Sequence, residues 1–415
     1  MVDPSDPEDF WDIRGTTPVY PLFAYTTYWL AGESGYGVVV AQIILLALVA
    51  PAIYIALYRA SPLAALLSGL LLALDPQTGL LAQQIATEGL YIPLLGLGLA
   101  GLLYQYQRLS PAWIIYTLGL LLGVGALTRP VGVFLIVPYA VFYLLLSRSP
   151  KRMLFLILGY LTILLALAGL NSWRFDYFAP YNTGGFYLAT RLFGVGDLYD
   201  HRNGPQSERL YYLAGYCYLD LDQNDENLVV TRYLRQCLYY RHQMTFDEIS
   251  QLYQAVYSEA TQAQPSAFAV TMGQQLARYV WQSSDPSDLA GARALQADCT
   301  SDPEQWYSPS AVFCPTSPMP LARLQTGLFI VILAFSLLTR VLNFGLAGLV
   351  IGQQPPLIRW AWLCCLGLFA YHAVVTAAAG TILSRYITVT NPYTLIVLGI
   401  GLAGCLNWLR ALPKR

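Results

Sequence analysis

The chain is expected to be an all-α polytopic membrane protein of about nine transmembrane helices with a helical extracytoplasmic insertion, and three observations point there. The first is composition: 56% of residues are hydrophobic and 11% charged, with a mean hydropathy of +0.47, far from the soluble globular average. The second is a series of apolar stretches near crossing length, at 37–59, 62–75, 88–106, 111–127, 131–147, 152–170, 322–342, 357–379 and 388–409. The third is the distribution of charge. If the chain alternates sides from an outer start, the inner loops hold Arg59, Arg108, Arg148, Lys151, Arg152, Arg340, Arg359, Arg410, Lys414 and Arg415. They hold no Asp or Glu, which is the positive-inside bias. All carboxylates then face the extracytoplasmic side, and the expected location is the plasma (inner) membrane.

Residues 1–36 form the first extracytoplasmic loop, with a juxtamembrane helix. Its opening, MVDPSDPEDFWD, is acidic and has neither a basic nor an apolar leader region. The simplest topology therefore expects a further span upstream of Met1. Residues 37–170 supply six spans. The stretch 62–75 is short enough to be tilted, re-entrant or dependent on its neighbours for burial. Gly96, Gly98 and Gly101 spell G-x-G-x-x-G in the middle of an apolar span with no preceding strand, so close helix packing explains them better than dinucleotide binding.

The outer segment 171–320 reads as helical. Thr245 and Glu248 form a T-x-x-E capping box opening a helix to about residue 260. Pro265 begins another, with Phe268, Met272, Leu276 and Tyr279 or Val280 on one stripe. The runs 206–219 and 226–242 are amphipathic, and the Pro- and Ser-rich stretch 300–320 links back to the membrane. Cys217, Cys237, Cys299 and Cys314 fall in this oxidising compartment; 217 with 237 and 299 with 314 is the favoured pairing because each closes a short loop, but three pairings remain open. Residues 321–415 supply the last three spans, with Cys364, Cys365 and Cys405 as small apolar residues.

Several patterns point to no chemistry. Asp220, Asp222 and Asn224 imitate a calcium loop, yet Asp225 and Thr231 occupy positions that need Gly and Glu. His201, His242 and His372 lack zinc spacing, and no Gly-x-Ser-x-Gly elbow exists. A net charge of −1 with no basic stripe outside the inner loops gives no reason to expect nucleic acid as a partner.

What remains is a set of polar residues at outer span ends, where an interfacial charge is a functional candidate. They are Arg14 with Thr17, Pro18, Tyr20 and Pro21; Thr87 with Glu88; Thr128 with Arg129 and Pro130; and Ser384 with Arg385 and Tyr386. A snorkelling side chain is the simpler alternative for Arg129 and Arg385, and a favourable helix N-terminus for Glu88.

The stretches R-G-T-T-P-V-Y-P-L-F (14–23), A-T-E-G-L-Y (86–91), G-A-L-T-R-P-V-G (125–132) and S-R-Y-I-T-V-T-N-P (384–392) resemble, in order and sidedness, GT-C-fold glycosyltransferases of the protein O-mannosyltransferase and aminoarabinose-transferase kind. The resemblance implies a polyprenyl-phosphate-linked sugar as donor, a glycan, lipid or protein acceptor, and membrane lipid as surroundings. It further implies a catalytic acidic residue in the first outer loop, just after a first span. Neither that span nor the usual D-x-x-Y context is present here, which leaves Asp9 and Asp12 nearest the R-x-x-x-P-x-Y-P run. Asp9, Asp12 or Glu88 would take the acceptor proton during inverting transfer. Arg129, Arg385 and Arg14, with Tyr386, would hold the lipid phosphate, a task that suits a guanidinium better than an ammonium; Pro18, Tyr20 and Pro21 support the first motif. No ligand spacing compels a metal, although outer-loop carboxylates leave room for a divalent cation. Two rivals are a catalytically inactive scaffold of the same fold, because fold does not fix activity, and a transporter. The transporter is disfavoured because its charges belong near the bilayer midplane, in repeated halves.

Overall fold

The structure is a computed structural model that describes residues 17–32, 35–107, 110–175, 178–180, 184–194, 198–217, 228–281, 344–345, 347–352, 354–379 and 389–411. Among these the chain is all-helical apart from turns, and two compact units emerge, one including Thr17–Leu167 and one including Ala168–Tyr279.

The membrane unit begins with α1 (Val19–Ala31), α2 (Gly35–Ala47), α3 (Val49–Tyr58), α4 (Pro62–Ala73), α5 (Pro76–Ala82), α6 (Thr87–Gln107) and α7 (Ala112–Ala126). A 3-10 turn at Pro130–Gly132 leads to α8 (Ile136–Ser147) and α9 (Pro150–Phe175), and α15 (Pro356–Ala379) and α16 (Asn391–Ala411) follow later in the chain. Proline is the first residue of α4, α5, α9 and α15, a position where its missing N–H has no intrahelical partner to lose. Ser61 completes the start of α4 by accepting the Ala64 N–H.

Among the described residues five stretches are long and apolar enough to cross a membrane: Gly35–Tyr58, Thr87–Tyr106, Pro130–Ser147, Pro150–Trp173 and Pro356–Ala378. The expected span 37–59 divides at Leu48 into α2 and α3, and the expected span 131–147 starts with the 3-10 turn instead of a regular helix. The expected span 322–342 lies outside the described residues. The short α4 does depend on neighbours. It lies along α3 and α16, where Ser68 donates its hydroxyl to the Ile396 carbonyl at 3.1 Å.

Small residues set these approaches. A Cβ on Gly159 would lie 2.1 Å from the Tyr116 carbonyl oxygen, and one on Gly119 would lie 2.2 Å from that of Leu156, so α7 and α9 touch backbone to backbone. The G-x-G-x-x-G of α6 does the same work: Gly96 faces Val49, while Gly98 and Gly101 face Leu122 and Leu118.

The second unit holds α10 (Gly184–Gly194), α11 (Pro205–Gly215), α12 (Leu228–Tyr240), α13 (Phe246–Ala263) and α14 (Pro265–Trp281). Its own core gathers Leu192, Leu198, Leu210, Leu234, Leu238, Phe246, Ile249, Tyr253 and Val256. The capping box forms: the Glu248 carboxylate accepts from the Thr245 N–H at 2.7 Å and Thr245 Oγ1 accepts from the Glu248 N–H at 3.3 Å, which draws the Glu248 carboxyl below its usual range. Cys217 and Cys237 are joined in a disulfide between the end of α11 and α12. Cys299 and Cys314 lie outside the described residues, as do the imitation calcium loop at Asp220–Asn224 and the 300–320 link.

The stripe expected on α14 is displaced. Thr271, Gln275 and Tyr279 are its buried positions, with Phe268, Met272 and Leu276 half-buried beside them. The reason is Arg191 on α10, fully buried, whose Nη2 donates to Thr271 Oγ1 at 2.9 Å while the guanidinium carbon sits 5.6 Å from the Phe268 ring centroid. Desolvation pulls this guanidinium below its usual range, and its Nε and Nη1 have no hydrogen-bond partner among the described residues.

Two stability measurements check this packing. Gly159→Leu should lower the melting temperature in detergent, as expected for an overpacking loss of about 1–3 kcal/mol or more; an unchanged melt would refute the close α7–α9 contact. Arg191→Met should leave the second unit as stable or stabilise it by about 1 kcal/mol, because a desolvated cation without a carboxylate is exchanged for apolar packing; a clear loss of stability in urea would show the cation to be needed.

Candidate functional site

Between α7 and α8 the backbone leaves the helix inside an apolar bundle, where each exposed carbonyl must find a donor from the protein. Pro130 has no N–H to continue the ladder, so the chain turns as a short 3-10 segment. Tyrosines from two other helices supply the donors. Tyr371 on α15 donates to the Val131 carbonyl at 2.5 Å, and Tyr160 on α9 donates to those of Gly132 and Val133 at 3.0 and 2.5 Å. Thr17 donates its hydroxyl to the Thr128 carbonyl at 2.6 Å, which ties the first motif to the third.

The break presents Arg129 to the start of α6. Arg129 Nη1 lies 3.1 Å from Glu88 Oε1, with the two side chains 10% and 3% exposed. Glu88 Oε2 accepts the Thr87 hydroxyl at 3.0 Å, so each carboxylate oxygen is held. Tyr91, one turn further along α6, places its ring centroid 5.9 Å from the Arg129 guanidinium carbon, within cation–π range. The second and third motifs therefore meet in a buried ion pair. A snorkelling arginine reaching for water does not describe Arg129, which is 9% exposed.

Gln42 joins the first motif to the second. It is fully buried on α2, accepts the Tyr20 hydroxyl at 2.8 Å, and donates to the carbonyls of Ala82 and Gln84 at 2.8 and 2.9 Å. Gly89 makes room for it: a Cβ there would lie 2.5 Å from Gln42 Nε2. Tyr20 also packs with Leu90 and Leu94, which seats α1 on α6. Pro18 ends half-buried at the start of α1, and Pro21 is exposed in its first turn.

The fourth motif is placed only at its downstream end. Asn391 donates to Asp75 Oδ2 at 3.3 Å, and the same oxygen accepts the Thr78 hydroxyl and the Thr78 N–H, so one carboxylate caps α5 and seats α16. Asp9, Asp12, Arg14, Arg385 and Tyr386 lie outside the described residues. Of the site residues expected from sequence, the structure thus brings Glu88, Arg129 and Tyr20 into one linked group with Thr17 and Thr128. Tyr91, the last residue of the A-T-E-G-L-Y stretch, belongs to it too, and Gln42, Tyr160 and Tyr371 enter it without having been singled out. Gln42 carried a signal, as a lone amide in the apolar run Val38–Leu48, whereas Tyr160 and Tyr371 carried none.

Residues 15–173 match the family described as dolichyl-phosphate-mannose-protein mannosyltransferase. No curated protein matches the chain. Among solved structures, the chain is similar to ArnT from Cupriavidus metallidurans bound to undecaprenyl phosphate, at 14% identity and a TM-score of 0.36, covering 94% of this chain and 67% of that one. The Glu88–Arg129 pair, Gln42 and the broken segment before α8 all fall within the matched residues. The likeness to the dolichyl-phosphate-mannose-protein mannosyltransferase family is thus a likeness of the segment that holds this ion pair.

Proposed function

We propose that the protein is a membrane glycosyltransferase that moves a sugar from a polyprenyl-phosphate donor to an acceptor hydroxyl at the extracytoplasmic face, with inversion. The observation that carries this reading is the buried Glu88–Arg129 pair, at the ends of apolar helices and inside the region matched to mannosyltransferases. An uncharged lipid-binding scaffold has no need of a guanidinium in an apolar wall. A phosphate on an isoprenoid does need one.

The chemistry divides among named residues. The acceptor oxygen attacks the anomeric carbon from the face opposite the phosphate, its proton passes to a carboxylate, and the bond from the anomeric carbon to the phosphate oxygen breaks. Asp9 and Asp12 are our candidates for the base. Glu88, whose two oxygens are engaged by Arg129 and Thr87, is better suited to hold Arg129 in place than to collect a proton. Arg129 and Arg385, with Arg14 and Tyr386, would take the charge that gathers on the departing polyprenyl phosphate. The apolar helices would receive the isoprenoid tail.

In proteoliposomes supplied with polyprenyl-phosphate sugar, Arg129→Ala should lower transfer by about 100-fold, the size of loss seen when a preorganised charge partner is removed. Arg385→Ala should abolish transfer and Glu88→Gln should lower it by no more than Arg129→Ala does, while each protein still inserts; unchanged turnover in any variant would remove that residue from the site. For the sidedness, a cysteine placed at exposed Tyr212 should react with an impermeant maleimide from outside intact cells, and labelling only after lysis would overturn the topology.

A further inference from the structure

His372 is a fully enclosed imidazole in the middle of α15, a position that a spanning helix gives to a polar group only where it is used. Its surroundings fix it completely. The ring lies 6.0, 5.1 and 5.8 Å, centroid to centroid, from those of Tyr91, Tyr371 and Tyr393. Nδ1 sits 2.8 Å from the Leu368 carbonyl oxygen, which can only accept, so Nδ1 carries the hydrogen. In the neutral ring Nε2 is then an acceptor, and the Tyr91 hydroxyl 3.2 Å away donates to it. The same Tyr91 ring lies against the Arg129 guanidinium. A hydrogen-bond chain therefore runs from the Leu368 backbone through His372 to Tyr91, and the Tyr91 ring meets Arg129.

We infer that His372 is a positioning residue for donor binding: by accepting the Tyr91 hydroxyl it locks the ring that braces Arg129, so that the guanidinium meets a lipid phosphate in one orientation. The inference rests on the proposal that Arg129 holds that phosphate. Packing already encloses Tyr91, which is fully buried, and the hydrogen bond fixes where its hydroxyl points before the ligand arrives, which is preorganisation. Neighbouring Tyr371 holds the backbone carbonyl of Val131, two residues beyond Arg129, so α15 reaches the arginine through both its ring brace and its turn.

Equilibrium binding of undecaprenyl phosphate to the full chain in detergent tests this without knowledge of the sugar. Arg129→Ala should weaken binding by tenfold or more, about the loss for a charge-assisted contact. His372→Leu, which fills space but cannot accept, should weaken it by about fivefold, and His372→Gln, which returns an acceptor near Nε2, should restore it to within about twofold. Tyr91→Phe should match His372→Leu, and the double variant should be no weaker than either, because one hydrogen bond is lost in all three. If Arg129→Ala weakens binding and His372→Leu does not, the positioning role is wrong and the phosphate site stands. Additive losses in the double variant, or failure of His372→Gln to restore binding, would reduce His372 to packing and overturn the inference. If Arg129→Ala binds as the wild type does, the phosphate-site reading falls and the positioning role with it.

Discussion

The membrane unit is organised around one ion pair in a place where charge is hard to keep. Glu88 and Arg129 come from opposite ends of the α6–α7 hairpin and lie almost wholly out of solvent. Removing either partner would leave the other unpaired in an apolar bundle, at a cost of about 3–5 kcal/mol. The pair consequently fixes the end of α7 against the start of α6, and the irregular backbone after Leu127 follows from it. Arg129 is extended, at φ −147°, and cannot lie in a helix. The carbonyls that this release exposes are taken up by Thr17, Tyr160 and Tyr371, which means that α1, α9 and α15 are all fastened to the same break.

Among the described residues two arginines are buried, and they make the comparison that gives this meaning. Arg191 in the helical insertion has a threonine hydroxyl and a phenylalanine face for company, and no carboxylate among its contacts. Arg129 has a carboxylate, a tyrosine face and a polar network behind that tyrosine. A buried cation that only packs has no need of such an apparatus. Three separate helices contribute to orienting Arg129, and on the proposed function that orientation would suit a ligand of fixed geometry such as a tetrahedral phosphate.

Much of the membrane unit was legible because the bilayer imposes a simple rule on composition. Apolar runs and the prolines that open them located α4, α6, α7, α9, α15 and α16 to within a few residues. The division of 37–59 at Leu48 answers to Pro51, which has no N–H to offer the Ala47 carbonyl and so interrupts the helical ladder inside a run whose apolarity is unbroken. In the insertion, Thr245 with Glu248 announced a helix start through local hydrogen bonding alone. The stripe on α14 was misread by one position, since hydrophobicity ranks Met272 and Leu276 above Thr271 and Gln275, and the partner that reverses the order, Arg191, is 80 residues away. The site shows the same divide. Charged residues at span ends could be picked out one by one, but nothing in the spacing of Glu88 and Arg129 states that they pair. Tyrosine is common in this chain, with 31 copies, so the few that brace the break could not be told from the rest.

Pairing also constrains how the proposed chemistry would run. At rest Glu88 and Arg129 sum to no net charge, so the bundle holds the guanidinium ready without the full penalty of an isolated ion. A lipid phosphate that arrives beside them adds a negative charge to which Glu88 is unfavourable and Arg129 favourable, and the balance depends on how many charges the phosphate bears. It bears fewer as a sugar phosphodiester than as the departing polyprenyl phosphate. Attraction to Arg129 therefore grows along the reaction, and an arginine held by Glu88 and Tyr91 has no reorganisation to undergo as it does. A mobile arginine would bind donor and leaving group with similar ease. On the proposed chemistry the fixed one would favour the transition state, and the residues that hold it, including His372 within α15, would belong to the working part of the bundle.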